Sequence, residues 1–329
     1  MEKDLYIENS KRIVSETTLS ESRIFDIEKS NIKNIFYDYF KFCNDDLRIN
    51  SEKFGLENSY FFFWDKEELN SGGTYNCGCY IIYVSKEQII KLNEKLNEKK
   101  FFNNVKLNKY LELSKNGFID LEYLLFQCSI IFTYYHEFSH LIHKKEKNFF
   151  IKIQNIEDDD YISESHIYEY DADLNGCQFV CMKIIDNCET YNINNHNDII
   201  KLLAIGLSGI IITNLLFYKK EFNQNEEIEE FYLKDITSTH PHHIVRISYI
   251  IDHYHQIANS NGIKFEVLEL LKDTFEICAI YFENEKMFKD YLDLYMGKIK
   301  IINNYIDKMY CEAMNMDNLI IQHHKKYDL

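Results

Sequence analysis

Three observations predict an α+β chain that is mostly helical, with a small sheet and extra helices at both ends. Apolar residues recur at helical spacing through most of the chain, with predominantly apolar runs at 121–132 and 202–218. Only two short stretches, 60–64 and 79–84, are aromatic and β-branched enough to read as strands. The chain has a single proline, Pro241, and no repeat, Pro-rich linker or low-complexity block. One compact unit is therefore expected, with an N-terminal elaboration at 1–74, a core at 75–255 and helices at 256–329.

Residues 1–58 are mostly polar, with one amphipathic piece around 32–42. The strand at 60–64 is followed by Asn70, Ser71, Gly72 and Gly73, which read as a turn. After the strand at 79–84, Ser85 and Gln88 have the spacing of a capping box, opening a helix over 87–96. This strand could supply an edge along which an extended peptide pairs, and two core strands with no ligand are the other reading. A helix over 119–142 comes next, and Lys144, Lys145 and Lys147 suit the negative end of its dipole.

The run from Glu157 to Asp160 lacks the Gly and closing Glu of an EF-hand loop, so 155–161 reads as a solvated loop rather than a calcium site. A further helix begins near Ser163. The segment 202–218 spans about 25 Å as a helix, short of a hydrocarbon core of about 30 Å. Gly206, Ser208, Gly209, Thr213 and Asn214 interrupt it, so a buried core helix is expected and membrane association is not. Residues 261–329 read as two or three packing helices.

Lys and Arg total 37 against 53 Asp and Glu, a net charge of −16, which argues against a nucleic-acid partner. The nine cysteines have no disulfide-framework spacing, and the first residues lack the basic start and apolar core of a signal peptide. A reducing, cytoplasmic setting is the expectation.

His136, Glu137 and His140 form H-E-x-x-H inside the apolar helix. Four residues turn a helix by about 40° beyond a full circle, so both imidazoles face one point. A catalytic zinc takes three protein ligands and leaves a fourth position open. His143 is about 10.5 Å along the axis from His136, too far to share the ion. The metzincin pattern fails, because His143 stands where its Gly belongs and Glu146 where its third His belongs.

Glu169 is the remaining candidate ligand, with Asp173 four residues on and able to hold a ligand histidine from behind. Ala172 would let this helix lie close to the first. A surface helix with exposed acids is the competing reading, and it suits Asp171 well. Pro241 at a first helical position would set His240 at a helix N-terminus, with Arg246 on the following turns.

Taken together, His136-Glu137-x-x-His140, then Glu169, Ala172, Asp173 and Gly176, then Thr239-His240-Pro241 with Arg246 and Ile247, resemble the motif order of HtpX-like and related gluzincin metallopeptidases. The resemblance covers roughly 75–255. It implies a zincin fold holding one Zn2+ on His136, His140 and Glu169, with Glu137 as base. Asp173 would stand behind the ligands, His240 near the substrate, and Tyr80, Tyr83 and Arg246 on the substrate side. HtpX-like members surround this core with membrane helices, whereas this chain has one marginal candidate. Soluble relatives fit better, and among them the chain looks like the phage-exclusion Lit-type peptidases.

The expected activity is hydrolysis of peptide bonds within an intracellular polypeptide, by zinc-bound water that Glu137 activates. Two other readings stand beside it: an inactive zincin-fold scaffold or binding protein, and a zinc aminopeptidase. A structural zinc would close its tetrahedron with four protein ligands, often Cys, and no cysteine stands beside these motifs in zinc-ribbon spacing.

Overall fold

The computed structural model describes residues 2–98, 100–115, 119–146, 164–218, 239–316 and 319–320. The acidic stretch at 155–161 lies outside them. The described chain is mostly helical with one three-stranded mixed sheet, as its sequence predicts. It divides into two compact units, Met1–Glu94 with Thr133–Ile151, and Lys95–Phe132 with Lys152–Leu329. This division differs from the linear one read from the sequence, because residues far apart along the chain pack together.

The first unit contains α1 (Glu2–Glu16), α2 (Lys33–Phe54), strands β1 (Ser59–Trp64), β2 (Ser71–Asn76) and β3 (Cys79–Ser85), and α3 (Lys86–Asn93). The C-terminal half of α5 (Leu121–Glu146) completes it. Alternation along β1 sends Phe61 and Phe63 toward the helices, where they meet Tyr39 of α2, and Phe63 also meets Phe36. Phe62, one residue out of step, packs against Tyr83 with Trp64. Helix α2 stops at Gly55, whose φ of 62° is the left-handed C-terminal cap that glycine adopts without strain.

The strand order is β1-β3-β2, with β3 parallel to β1 and antiparallel to β2. Two sequence expectations change here. The segment from Ser71 is a strand rather than a turn, and the tight turn falls on Cys77 and Gly78, both at positive φ (50° and 89°). Strand β3 is central rather than an edge, so its backbone is already paired on both sides. The capping box does not form either: Ser85 Oγ accepts from the Asn70 amide at 3.1 Å, and Gln88 Nε2 donates to Thr133 Oγ1 at 2.8 Å.

The second unit holds the N-terminal half of α5, α4 (Leu111–Lys115), α6 (Glu164–Thr190), α7 (His196–Tyr218), α8 (His243–Ser260), α9 (Val267–Tyr281) and α10 (Met287–Asn315). Asp120 opens α5 by accepting the Tyr123 amide at 2.9 Å, an N-cap contact. Helix α6 lies against α5 at Gly176. A Cβ there would stand 2.9 Å from the carbonyl and ring of Phe132, so any larger residue would push the helices apart. Ala172 is fully buried nearby in sequence.

Helix α7 is the one element among the described residues long and apolar enough to cross a membrane, and 83% of its most apolar stretch is buried. Its contacts are those of a core helix. Ser208 Oγ donates to Thr274 O, Ser129 Oγ to Gly209 O, and Tyr254 hydroxyl to Leu203 O, at 3.1, 3.2 and 3.0 Å. The tail supplies the packing helices α9 and α10, as expected.

Candidate metal centre

The site residues come from two sets of elements, each built differently. Helix α5 carries His136, Glu137 and His140 on consecutive turns. Its closing turn is tied down by lysines, with Lys144 Nζ donating to Gly73 O and Lys145 Nζ to Phe54 O at 2.6 Å. The Nε2 atoms of His136 and His140 face one another at 3.1 Å, with the rings nearly perpendicular at 88°. Two nitrogens bound to one tetrahedral ion at bonds of about 2.0–2.1 Å would be about 3.3 Å apart, so this spacing suits a shared ion. His143 is buried, and its ring packs against His140 at 5.5 Å between centroids.

Glu137 is 5% exposed, and its Oε1 accepts from Ser71 Oγ at 2.5 Å. Burial, and then the charge of Glu137, push the Tyr83 phenol up from its ordinary pKa. Tyr83 therefore lies within the electrostatic reach of Glu137. Tyr80 is three residues away on the same strand and so lies on the face opposite Tyr83, its ring 4.9 Å from that of Tyr75 between centroids. The expected pair of substrate tyrosines does not share a face. A peptide could not add to β3, whose two sides are taken by β1 and β2.

Helix α6 buries Glu169, Asp171 and Asp173. Asp171 is not the exposed acid its sequence position suggested: it is 1% exposed and accepts the Ile320 amide at 2.9 Å. Asp173, fully buried, receives Arg246 through a forked contact, Nε to Oδ2 at 2.7 Å and Nη2 to Oδ1 at 2.6 Å. Tyr249 hydroxyl adds a third bond to Oδ2 at 2.5 Å. Arg246 Nη2 also reaches Glu169 Oε2 at 3.4 Å.

Burial opposes charge on Arg246, but the carboxylates of Asp173 and Glu169 outweigh it and hold the guanidinium charged. Burial and the Asp173 charge raise the Tyr249 phenol well above its ordinary value, so it keeps its proton and donates. Asp173 thus braces Arg246, and Arg246 braces Glu169. Buried in this pairing, Arg246 faces carboxylates rather than a surface open to substrate.

His240 has a side chain 44% exposed, with Nε2 3.4 Å from Glu169 Oε1 and Nδ1 2.7 Å from Thr239 Oγ1. Pro241 is not the first helical residue. Helix α8 starts at His243, capped by His242, whose Nδ1 accepts the Ile244 amide at 3.2 Å. His240 consequently precedes the cap by two residues, beside Glu169.

The ligand atoms of His136, His140 and Glu169 all lie within 4.8 Å of one another, a largely buried His-His-Glu group that could hold a metal ion. Two imidazoles and a carboxylate supply three donors, which would leave a position over on a four-coordinate ion. Sequence reading missed Ser71, hidden in a segment taken for a turn, and Tyr249, one helical turn beyond Arg246. Only the spacing from Arg246 to Tyr249 could have signalled the latter. Comparison with protein-family models, curated proteins and solved structures found no match.

Proposed function

We propose that this chain is a zinc-dependent endopeptidase of gluzincin type, acting on a polypeptide. The observation that carries the proposal is the convergence of His136, His140 and Glu169, with Glu137 following the first ligand on the same helix. The motif order shared with HtpX-like peptidases, and with soluble relatives such as the Lit-type enzymes, supports it from the sequence side.

His136, His140 and Glu169 would hold the ion. Bound zinc supplies a Lewis acid that polarises a carbonyl and acidifies water. Glu137 takes the proton from the attacking water and passes it to the leaving amine, the shuttle that general acid–base catalysis requires of one group. His240, exposed beside Glu169, would donate to the oxygen of the scissile carbonyl as charge develops there. Arg246 holds the Glu169 carboxylate in a fixed orientation. Among the described residues β2 forms one edge of the sheet, and its backbone rather than that of the central β3 would pair with an extended peptide.

The test pairs the wild-type protein with Glu137→Gln. Zinc should remain bound at one per chain in both, and the substitution should lower peptide hydrolysis by about 10²–10⁴-fold. Comparing new protein N-termini in cells expressing either form would identify the substrate. Unchanged cleavage with zinc retained would exclude Glu137 as the base, and a chain that takes up no metal would favour a scaffold role.

A further inference from the structure

We infer that Ser71 is a positioning residue for the Glu137 carboxylate, delivered by the strand segment Ser71, Gly72 and Gly73. Its catalytic meaning rests on the peptidase reading above; its geometry does not.

The contact is short and directional. Ser71 Oγ donates to Glu137 Oε1 at 2.5 Å, within the range of a hydroxyl bonded to an ionised carboxylate. Glu137 is 5% exposed, so little water is available to solvate or orient it, and a protein donor matters correspondingly more.

Residues 71–73 are poor strand formers, yet they begin β2. Each is accounted for by what it approaches. Ser71 pairs with Val84 and Gly73 with Ile82, two steps apart, so both face α5. A Cβ on Gly73 would stand 2.4 Å from the Glu137 carbonyl oxygen and 3.3 Å from His140 Cβ. Glycine alone lets the strand lie this close to the helix turn that carries the base. The carbonyl of Gly73 accepts from Lys144, two helical turns beyond Glu137. Gly72 faces the other way, where a Cβ would meet the Tyr83 hydroxyl at 2.4 Å.

The strand is therefore fastened to α5 by backbone contact at Gly73 and reaches the carboxylate through Ser71. With Oε1 engaged, rotation of the carboxylate is restricted and Oε2 is left for proton transfer. A base held this way loses less turnover to misorientation.

The experiment compares wild type, Ser71→Ala and Ser71→Thr in the full chain, with two readouts. The first is the Glu137 side-chain carboxyl 13C signal in metal-free protein labelled at glutamate, assigned by its absence from Glu137→Gln. Ser71→Ala should move this signal and Ser71→Thr should restore it. The second is hydrolysis by zinc-loaded protein. Ser71→Ala should lower kcat by about 10- to 100-fold with KM little changed, and Ser71→Thr should recover most of the loss.

An unmoved carboxyl signal overturns the inference. So does a moved signal with full kcat, or a change confined to KM. If zinc-loaded wild type hydrolyses no peptide, the peptidase reading fails and the catalytic role falls with it, while the carboxyl signal still decides whether the contact exists.

Discussion

The helix α5 side and the α6–α8 side of the candidate centre keep their geometry by different means. Asp173, Arg246 and Tyr249 form a buried hydrogen-bonded network, to which Glu169 is joined by an ion pair with Arg246 at 3.4 Å. His136 and His140 instead point two nitrogens at one another across 3.1 Å. The first arrangement is a structural element that also happens to present a carboxylate. The second can be held by one ring donating to the other, or by an ion that both rings bind. Loss of a metal should therefore affect the two sides unequally.

The largest expected effect lies on the carboxylate side. Arg246→Met would leave Asp173 fully buried without its counter-charge, and should lower unfolding stability by about 3–5 kcal/mol, measured by urea denaturation of metal-free protein. A loss below about 1 kcal/mol would erase the contrast, because the network would then be no more self-supporting than the histidines.

Next comes metal itself. Zinc at 100-fold excess over its Kd should stabilise the wild type by about 2.7 kcal/mol, and a chelator should remove that increment. His136→Ala should be insensitive to both additions. Equal stabilisation of that variant would place the ion elsewhere.

The smallest effect concerns the scaffold behind the carboxylates. Gly176→Ala brings a Cβ to 2.9 Å from Phe132 and should cost about 1–3 kcal/mol by forcing α6 away from α5. Should zinc affinity survive this change, Glu169 is positioned by its ion pairs. Should affinity fall with stability, helix spacing positions it as well.

Legibility from the sequence followed the same division. His136, Glu137 and His140 were readable because helix periodicity alone decides which way they face. Glu169 and Asp173 were readable as a pair for the same reason. The partner of Asp173 was not, because Arg246 is 73 residues away and no local rule connects them. Asp171 was misjudged because its burial depends on Ile320, near the far end of the chain.

The sheet shows a similar limit. Two of its strands can be located from their aromatic and β-branched content, but the order β1-β3-β2 is a matter of pairing, and the sequence leaves β3 open between an edge and a core position. Strand β2 was invisible because its first residues were chosen for closeness to α5 rather than for strand propensity. Pro241 misled for a related reason: His242 caps α8 with its own ring, moving the helix start two residues past the expected position.

The braced carboxylates have a consequence for what the centre admits. Glu169 and Asp173 carry two formal negative charges and Arg246 one positive, which leaves a surplus of −1 among these three buried side chains. Glu137, buried on the helix that carries His136 and His140, adds a further carboxylate and brings the formal balance of the metal-free centre to −2. A divalent cation would neutralise that surplus and let an electron-rich carbonyl oxygen approach, whereas the metal-free chain should repel anions from the same place. Occupancy by the ion would thus decide whether a visiting electron-rich group is turned away.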